Sequence, residues 1–295
     1  MQLGMVSVII TTYGREIDLL MEAVNSVRSQ TYKMIELIVV DDNGLESDIQ
    51  KNNENFFATQ EDIRYIPNHK NSGAQYSRNH GILESCGEYI AFLDDDDIWM
   101  PTKLEKQIAL MKEKNAGVVF CNGLRFYNND LNDTKLYQQL FISDEPVTYE
   151  LELRGDRIGS TSHPLIRRDC LAKSGLFDID MPARQDYEMW LRLCKYYEVW
   201  GINEPLFYYR YHSGDRITKS YKKEIKSYQL LWDKYKKDYM NDNIACAGIK
   251  LTMAITYLKG KCYVRAITWG LSALLKKPSY VFSMIKNHKE KKAMF

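Results

Sequence analysis

The chain has 295 residues, of which 45% are hydrophobic, so it can bury one large α/β domain, alone or with an appended helical region. Its 40 basic and 39 acidic side chains leave a formal net charge of +1. A general nucleic-acid binder has a strongly basic surface, so this balance argues against that class of protein and fits a nucleotide-sized or neutral ligand.

Strand and helix patterns alternate over the first part of the chain. Short apolar runs rich in β-branched residues predict five strands, at residues 6–10, 35–40, 63–66, 89–93 and 118–121. Apolar residues at helical spacing from Ile17 to Val27, a helix opening at Ser72-Gly73 and Pro101 at a first helical position predict helices between strands. This alternation predicts a mostly parallel sheet with helices on both faces, where ligands bind beyond the carboxyl ends of the strands.

The later part of the chain has a different pattern. Residues 124–158 show no regular periodicity, and we interpret them as excursions and short helices. Residues 186–197 predict an amphipathic helix. After about residue 220, lysines and aromatic residues mix at helical spacing without a strand signal, so we predict a helical region at 221–295.

Cysteine usage and the N-terminal residues bear on the compartment. The six cysteines are scattered and include no C-x-x-C pair, which argues against a zinc site and against a disulfide framework. Free thiols are typical of a reducing compartment. The first apolar run predicts a strand rather than a signal peptide, and no run reaches the length of about 18 apolar residues that a spanning helix needs. We therefore expect a cytoplasmic protein.

Four consecutive aspartates, Asp94 to Asp97, follow the strand at 89–93. Adjacent carboxylates repel one another, so such a group needs a positive partner, and a divalent cation is the obvious one because hard cations prefer oxygen ligands. Residues i and i+2 of an extended strand point the same way, so we expect Asp94 and Asp96 to face one site and Asp95 to face elsewhere. The alternative is a solvated acidic turn.

Two further polar groups stand at strand ends. Asp41, followed by Asp42, is placed to accept hydrogen bonds from a base N–H or a ribose hydroxyl. Thr11 and Tyr13 close the first strand, where the Tyr13 ring can stack on a flat base. Taken alone, each group is also what a simple polar turn contains.

Three later residues complete the candidate set. Arg78 can favour an anion together with the amides of the helix that opens at Ser72-Gly73, or form a structural ion pair. Asp186, in the first turn of a predicted helix, is either a general base or an acid stabilised by the helix dipole. His212 can assist a metal or a leaving diphosphate, or be an ordinary surface histidine.

Seven segments stand in a set order along roughly residues 5–220. They are Val6-Ser7-Val8-Ile9-Ile10-Thr11-Thr12-Tyr13, Ser29-Gln30-Thr31-Tyr32, Glu36–Asp42, Asn71-Ser72-Gly73, Ser77-Arg78-Asn79, Gly87–Asp97 and Gln185–Arg192. In order, spacing and residues this set resembles family 2 glycosyltransferases of the GT-A fold. Two departures are small: Gly14-Arg15 follows Tyr13, and Gln185 precedes Asp186.

The resemblance implies a nucleotide-diphospho-sugar donor, most often a UDP-sugar. Asp41 is similar to the family's base-reading carboxylate, with Thr11 and Tyr13 beside it. Arg78 is also expected to bind the nucleotide-sugar. The alternatives are a sugar nucleotidyltransferase, which usually has a Gly-rich loop where Thr11 to Gly14 stands, and a non-catalytic nucleotide-sugar binding protein.

The resemblance also implies a metal and a mechanism. Asp94 to Asp96 resembles the D-x-D element, with Asp96 as the main ligand of Mn²⁺ or Mg²⁺ and Asp95 or Asp94 nearer the ribose. His212 is similar to a late histidine that approaches the metal or diphosphate. Asp186 matches the family's base, which deprotonates an acceptor hydroxyl, and the sugar is transferred with inversion and without a covalent glycosyl-enzyme.

The implied architecture is an α/β, GT-A-type sheet flanked by helices, with a C-terminal helical extension. Residues 1–220 form the glycosyltransferase domain, with a nucleotide-binding half at 1–100 and an acceptor-side half at 101–220, and 221–295 form the extension. The implied setting is bacterial surface or capsular polysaccharide synthesis, with a hexosyl or N-acetylhexosaminyl group passed to a saccharide or lipid-linked saccharide.

The tail carries an apolar helical stripe edged with lysines. The stripe comprises Val264, Ile267, Leu271, Leu274 and Leu275, and Val281, Phe282, Met284 and Ile285 continue it. Such a face can lie on an anionic membrane, which would place the protein at the inner face of the cell membrane. The alternatives are packing on its own domain or on a second subunit as a homodimer.

Overall fold

The computed structural model describes residues 1–127, 130–137, 144–211 and 220–293, including all side chains except those of 136–137 and 287–293. The N-terminal half alternates strands and helices. Its elements are β1 (Gln2–Thr12), α1 (Ile17–Arg28), β2 (Ile35–Asp41), α2 (Asp48–Phe57), β3 (Ile63–Pro67), α3 (Ala74–Glu84) and β4 (Gly87–Asp94). β1 lies between β2 and β4, β3 adds to β2, and all three pairings are parallel. The carboxyl ends of these strands therefore meet at one edge of the sheet.

The second half extends the same sheet with mixed pairings. Its elements are β5 (Ile98–Trp99), α4 (Lys103–Lys114), β6 (Val118–Tyr127), β7 (Asp130–Tyr137), α5 (Tyr149–Leu153), β8 (Leu165–Arg167), α6 (Leu171–Ser174), α7 (Gln185–Tyr196) and β9 (Val199–Tyr211). β8 is antiparallel to both β4 and β6, and β6 is parallel to β9. β5 and β7 pair antiparallel with β9 and β6. The described strands are ordered β3-β2-β1-β4-β8-β6-β9-β5, with β7 beside β6.

The structure differs from the sequence predictions in the second half. Part of the stretch interpreted as irregular forms strands β6 and β7, and β8 and β9 were not predicted. β9 contains Pro205, which lies opposite Asn122 where the β6–β9 register shifts, so its strand pattern is interrupted. The helix predicted from Pro101 begins at Lys103.

Helices cover both faces of the sheet. Alternate residues of β1 point to opposite sides, so that Val8 and Ile10 join one buried cluster and Ile9 joins the other. The first cluster includes the inner face of α1, and the second includes Trp190 of α7. The strand-end loops are thus held on a rigid three-layer scaffold.

The C-terminal region is helical, as predicted, and consists of α8 (Tyr221–Asn241), α9 (Asn243–Lys259), α10 (Tyr263–Lys276) and α11 (Pro278–Ala293). A third buried cluster joins Tyr228 and Leu231 of α8 to Tyr187 and Leu191 of α7. The tail therefore packs directly on the helix that carries Asp186. Among the described helices, none is long and apolar enough to cross a membrane.

Candidate functional site

The candidate donor-binding residues meet at the carboxyl edge of the parallel strands. The β1–β2 register places Thr12 beside Asp41, and the β1–β4 register places Thr11 beside Asp94. The structure thus brings together the strand-end groups that the sequence singles out. Tyr13, just beyond β1, is 58% exposed, which leaves its ring accessible for stacking.

The four aspartates have four different surroundings. β4 ends at Asp94, and the next residues form a turn closed by a hydrogen bond from Asp97 N to Asp94 O of 3.0 Å. Asp97 is fully buried, where its carboxylate accepts hydrogen bonds from Ser162 Oγ at 2.7 Å and from Arg210 N at 3.2 Å. Asp97 therefore fixes the turn.

Arg15 joins two of these carboxylates. Its guanidinium donates to Asp95 at 3.0 Å and to Asp96 at 3.0 Å, and Thr12 Oγ1 donates to Asp95 at 2.8 Å. Burial raises the pKa of Asp95 to about 6, although the charge and hydrogen bond of Arg15 oppose the shift. Arg15 thus holds Asp95 and Asp96 side by side, because the strand ends at Asp94 and the alternation of side chains ends with it. The expectation that Asp94 and Asp96 face one site stays a prediction.

Arg78 of α3 lies against the third carboxylate. Its Nη2 donates to Asp94 Oδ1 at 2.8 Å, and Thr161 Oγ1 donates to the same oxygen at 3.0 Å. The guanidinium also packs over the ring of Phe177, 5.7 Å from its centroid. Among the described residues, the buried Nη1 atom of Arg78 has no hydrogen-bond partner. This atom is a donor suited to an anion that enters the site.

Asp41 is fully buried at the end of β2. Its carboxylate accepts hydrogen bonds from the backbone and side-chain nitrogens of Asn43 at 2.9 and 2.8 Å, from Asn53 at 2.7 Å and from Tyr65 at 2.9 Å. A carboxylate has about four lone-pair positions, so a base N–H would have to replace one of these donors. The base-reading role of Asp41 stays a prediction.

Asp42, beside it, anchors a neighbouring loop. Its carboxylate accepts hydrogen bonds from Ser72 N at 2.9 Å, Gly73 N at 2.8 Å and Asn68 Nδ2 at 2.8 Å. These contacts fix the residues that lead into α3. Asp42 therefore positions the helix that carries Arg78.

Asp186 lies in the first turn of α7, as predicted, and its carboxylate accepts a hydrogen bond from Tyr187 N at 2.8 Å. Burial raises its pKa and the negative charge of Asp94 adds to the rise, while the backbone hydrogen bond and the cations Arg184 and Arg78 oppose it. These influences place Asp186 within electrostatic reach of the Asp94–Arg78 pair.

Two acids near Asp186 were missed by sequence reasoning. Asp156 follows α5 and accepts a hydrogen bond from Gly159 N at 2.8 Å; burial and then the charge of Asp186 raise its pKa to about 6. Glu152 of α5 is fully buried, and burial followed by the charge of Asp156 raises its pKa well above the usual range. Neither residue stands at a strand end or in a motif, so no local signal marks them.

The residues present fit a diphosphate-bound divalent cation. In the described ranges, no group of three or more His, Cys, Asp or Glu side chains is arranged to hold a metal. Mg²⁺ bound with substrate phosphates usually takes only one or two protein carboxylates. The side chains of Asp94 and Asp96 remain 31% and 20% exposed, and they are the carboxylates available for this role. His212 lies outside the described residues.

Comparisons with known proteins agree with this architecture. The model of Glycosyl transferase family 2 matches residues 7–175. The putative teichuronic acid biosynthesis glycosyltransferase TuaG of Bacillus subtilis is 31% identical over 230 residues, which are 76% of this chain and 86% of TuaG. The UDP-Glc:alpha-D-GlcNAc-diphosphoundecaprenol beta-1,3-glucosyltransferase WfgD of Escherichia coli is 29% identical over 223 residues, 75% of this chain and 83% of its own.

A solved structure shares the fold. S. aureus TarS 1–349 in complex with UDP-GlcNAc aligns with a TM-score of 0.63 over 88% of this chain and 73% of that chain, at 18% sequence identity. This likeness confirms the predicted fold class, including the helices that follow the sheet. Because the family model matches more than half of the residues, the chain belongs to glycosyl transferase family 2.

Proposed function

We propose that the protein transfers a hexosyl or N-acetylhexosaminyl group from a UDP-sugar to an acceptor hydroxyl, with inversion and with a divalent metal. The acceptor is a saccharide or lipid-linked saccharide of bacterial surface polysaccharide synthesis, and the reaction takes place at the cytoplasmic face of the cell membrane. Membership of the family supports the reaction class, and the site geometry supports the residue roles.

The arrangement of Asp94, Arg78 and Asp186 carries the proposal. Arg78 donates to Asp94 at 2.8 Å, and the charges of both residues act on the pKa of Asp186. A nucleotide diphosphate at the strand ends would meet the orphaned Nη1 of Arg78, and Asp186 of α7 lies within electrostatic reach of that cation. For inversion, the acceptor hydroxyl would lie between Asp186 and the donor sugar and attack from the face opposite the leaving group.

Asp186 serves as the general base. A general base works best when its pKa lies near the working pH, and burial moves Asp186 in that direction from the ordinary range of a carboxyl group. The α7 backbone holds one carboxylate oxygen through Tyr187 N, and the other oxygen would take the proton of the acceptor hydroxyl. Asp186 lies beyond the residues that the family model matches, so its role is supported by position and charge alone.

The residues at the strand ends would neutralise the negative charge of the leaving nucleoside diphosphate. Asp96 and Asp94 would hold Mn²⁺ or Mg²⁺, which neutralises charge on a leaving nucleoside diphosphate when bound. Arg78 contributes a fixed cation at the same end, and Tyr13 offers an exposed ring for the base. Arg15 holds the Asp95–Asp96 turn in place before the donor binds.

The names of similar proteins support the proposed acceptor class. WfgD is named for transfer to a sugar on diphosphoundecaprenol, and TuaG for teichuronic acid synthesis. The crystal structures of TarS include complexes with UDP-GlcNAc and with UDP. These names support a UDP-sugar donor and a lipid-linked acceptor for this chain.

The test measures transfer and nucleotide binding together. UDP-, GDP- and dTDP-sugars are screened with Mn²⁺, Mg²⁺ or EDTA, using an undecaprenyl-diphosphate saccharide as acceptor. We expect metal-dependent release of UDP from one UDP-sugar and an inverted linkage by NMR. Asp186→Asn should lower kcat by roughly 10²–10⁴-fold with UDP affinity retained, because it removes the base but leaves the donor end intact.

Two variants complete the design. Asp96→Ala should lose metal-dependent donor binding, and Asp180→Asn, an exposed aspartate before α7, should keep full activity. Undiminished transfer by Asp186→Asn would refute its role as base. If no nucleotide binds to the native protein with or without metal, the proposed donor class is wrong.

A further inference from the structure

Helix α10 has two faces of opposite character. Ala266 and Ala273 are buried against the rest of the tail, and Trp269 packs edge-on against Trp232 of α8 at 5.4 Å between ring centroids. These three residues follow the i, i+3, i+7 spacing of one helical face. The helix is therefore firmly docked by that face, and the opposite face is turned outward.

The outward face is apolar. Val264, Ile267, Leu271 and Leu275 follow helical spacing on it, and each of the four is between 57% and 87% exposed. Single exposed apolar residues are common, but a continuous stripe of this kind marks an interaction surface. We call these four residues the α10 stripe.

The tail around the stripe is strongly basic. Residues 259–295 contain nine basic residues and one acidic residue, Glu290. The preceding 258 residues contain 31 basic and 38 acidic residues, so the two parts carry opposite net charge. Within the described part of the chain, no ion pair neutralises the basic residues nearest the stripe, which are Lys259, Lys261, Arg265, Lys276 and Lys277. The positive charge is therefore available to an anionic partner.

We propose that α10 lies on an anionic lipid surface, with the α10 stripe in the interface and the flanking basic side chains at the headgroups. A helix with an apolar face edged by Lys and Arg has the composition of an interfacial helix, and each basic residue near an anionic surface adds to binding. Phe282 and Ile285 of α11, both exposed, add apolar area in the same region of the chain.

Charge favours a lipid surface over a second copy of the chain. In a twofold dimer the same patch meets itself, so two copies of α10 would bring two basic rims together. An anionic bilayer instead offers charge of the opposite sign together with an apolar interior. The inference concerns this surface alone and does not depend on which sugar is transferred.

The test uses the full-length protein and vesicles. Flotation is measured with vesicles of phosphatidylcholine alone and with an equal mixture of phosphatidylcholine and phosphatidylglycerol. We expect binding to the anionic vesicles, which weakens several-fold as salt rises from 50 to 500 mM. The triple variant Ile267→Gln/Leu271→Gln/Leu275→Gln should bind them at least about tenfold more weakly, because glutamine keeps the helix and removes the apolar face.

A matched triple variant controls for loss of apolar surface elsewhere. Leu83→Gln/Leu131→Gln/Ile179→Gln changes three exposed apolar residues away from the tail and should bind vesicles like the native protein. UDP binding of both triple variants should equal that of the native protein, which shows that each is folded and separates this test from that of the enzymatic proposal. Equal vesicle binding by native protein and stripe variant would overturn the proposal. A native dimer that the stripe variant converts to a monomer in sedimentation velocity would overturn it in favour of a second copy.

Discussion

Asp186 shares a poorly solvated region with two other acids and one cation. Burial and the charge of Asp186 raise the pKa of Asp156, and burial followed by the charge of Asp156 raises the pKa of Glu152. Arg184 lowers the pKa of Asp186, and its own backbone is left-handed, with φ of 59°. The pKa of this proposed base depends on nearby cations and acids, so single substitutions can move it in either direction.

We predict opposite shifts for two variants. Activity rises with pH as the base loses its proton, so the acidic limb of the profile of kcat/KM follows the pKa of Asp186. Arg184→Gln removes a nearby positive charge and should move this limb to higher pH by about one unit. Asp156→Asn removes a nearby negative charge, keeps the acceptor for Gly159 N, and should move it to lower pH.

The pH profile of Asp180→Asn provides the baseline, since this exposed aspartate precedes α7 and tests a general change in charge. Shifts of the same sign in the Arg184 and Asp156 variants, or none in either, would show that Asp186 does not set the limb. A change in KM for UDP-sugar alone would place both residues at the donor instead.

For single residues, the sequence predicts the candidate site residues that directly follow strands. It misses those that are distant in sequence and reach the site only through tertiary packing. Asp41 and Asp94 are recognisable because a buried strand ends at each, and parallel register then aligns them. Arg15 could have been noticed as a basic residue beside the acidic end of β4. Asp156 lies 30 residues before Asp186 in an irregular stretch, so only tertiary packing places the two together.

Helix α3 illustrates how an element positions a candidate binding side chain, that of Arg78. It lies very close to the sheet at Gly81, where an added Cβ would stand 2.5 Å from Ile9 Cγ2 and 3.2 Å from Val40 Cγ2. Both neighbours are fully buried strand residues with little room to move. The close approach fixes α3, and with it Arg78 one turn earlier.

Gly81→Ala should therefore destabilise the protein by roughly 1–3 kcal/mol, since the extra methyl group overpacks the core. It should also weaken UDP binding, because displacement of α3 moves Arg78 away from Asp94. Urea unfolding and calorimetric titration with UDP measure the two effects.

Gly155→Ala is the matched control, because an added Cβ there meets nothing within 4 Å and the backbone is not left-handed. Its unfolding free energy should stay within about 0.5 kcal/mol of the native value. Equal stability of the two variants would mean that α3 shifts freely and does not fix Arg78.

The sequence predicts the type of an element where burial produces a clear pattern of apolar residues along the chain. The central strands β1, β2 and β4 are continuous apolar runs because both of their faces are covered. β8 has only three residues, and β9 is interrupted by Gly201 and Pro205, so neither has a period long enough to detect. Their place in the sheet depends on pairing with β4 and β6, which is a property of the folded chain.

The whole molecule is linked through α7. One side of this helix places Met189 and Trp190 in the core beneath the sheet, and the other places Tyr187 and Leu191 against α8. The helix that carries Asp186 is thus shared by the sheet and the tail. A chain built in this way should unfold as one cooperative unit rather than as separate parts.

Glu188 of α7 forms polar contacts that connect α7 to the tail helix α8. It is fully buried and accepts hydrogen bonds from Arg192 at 2.8 Å, Lys234 at 2.7 Å and Tyr235 at 2.8 Å. Burial opposes its ionisation, but the hydrogen bonds and charges of Arg192 and Lys234 prevail and hold the pKa of Glu188 below its usual range. The ionised carboxylate thereby joins α7 to α8.

Glu188→Gln should cost about 1–3 kcal/mol at pH 7, because it removes the buried carboxylate that Arg192 and Lys234 share, while both cations stay partly exposed. A carboxyl group with a lowered native pKa stabilises the fold above its unfolded pKa and loses that effect as pH falls through the native one. The deficit of the variant should therefore shrink below about pH 4.3, the ordinary pKa of a glutamate side chain. Urea unfolding at pH 7 and at low pH, monitored by circular dichroism and by tryptophan fluorescence, measures the deficit in unfolding free energy and its decrease at low pH.

Glu113→Gln on α4 removes an exposed carboxylate and should stay within about 0.5 kcal/mol of the native protein at both pH values. The native chain should show coincident transitions by the two probes. If Glu188→Gln matched this control, or if the native probes separated into two transitions, α7 would not couple the sheet to the tail. Coincident transitions with the predicted deficit would mean that the tail stabilises the helix on which the proposed base stands.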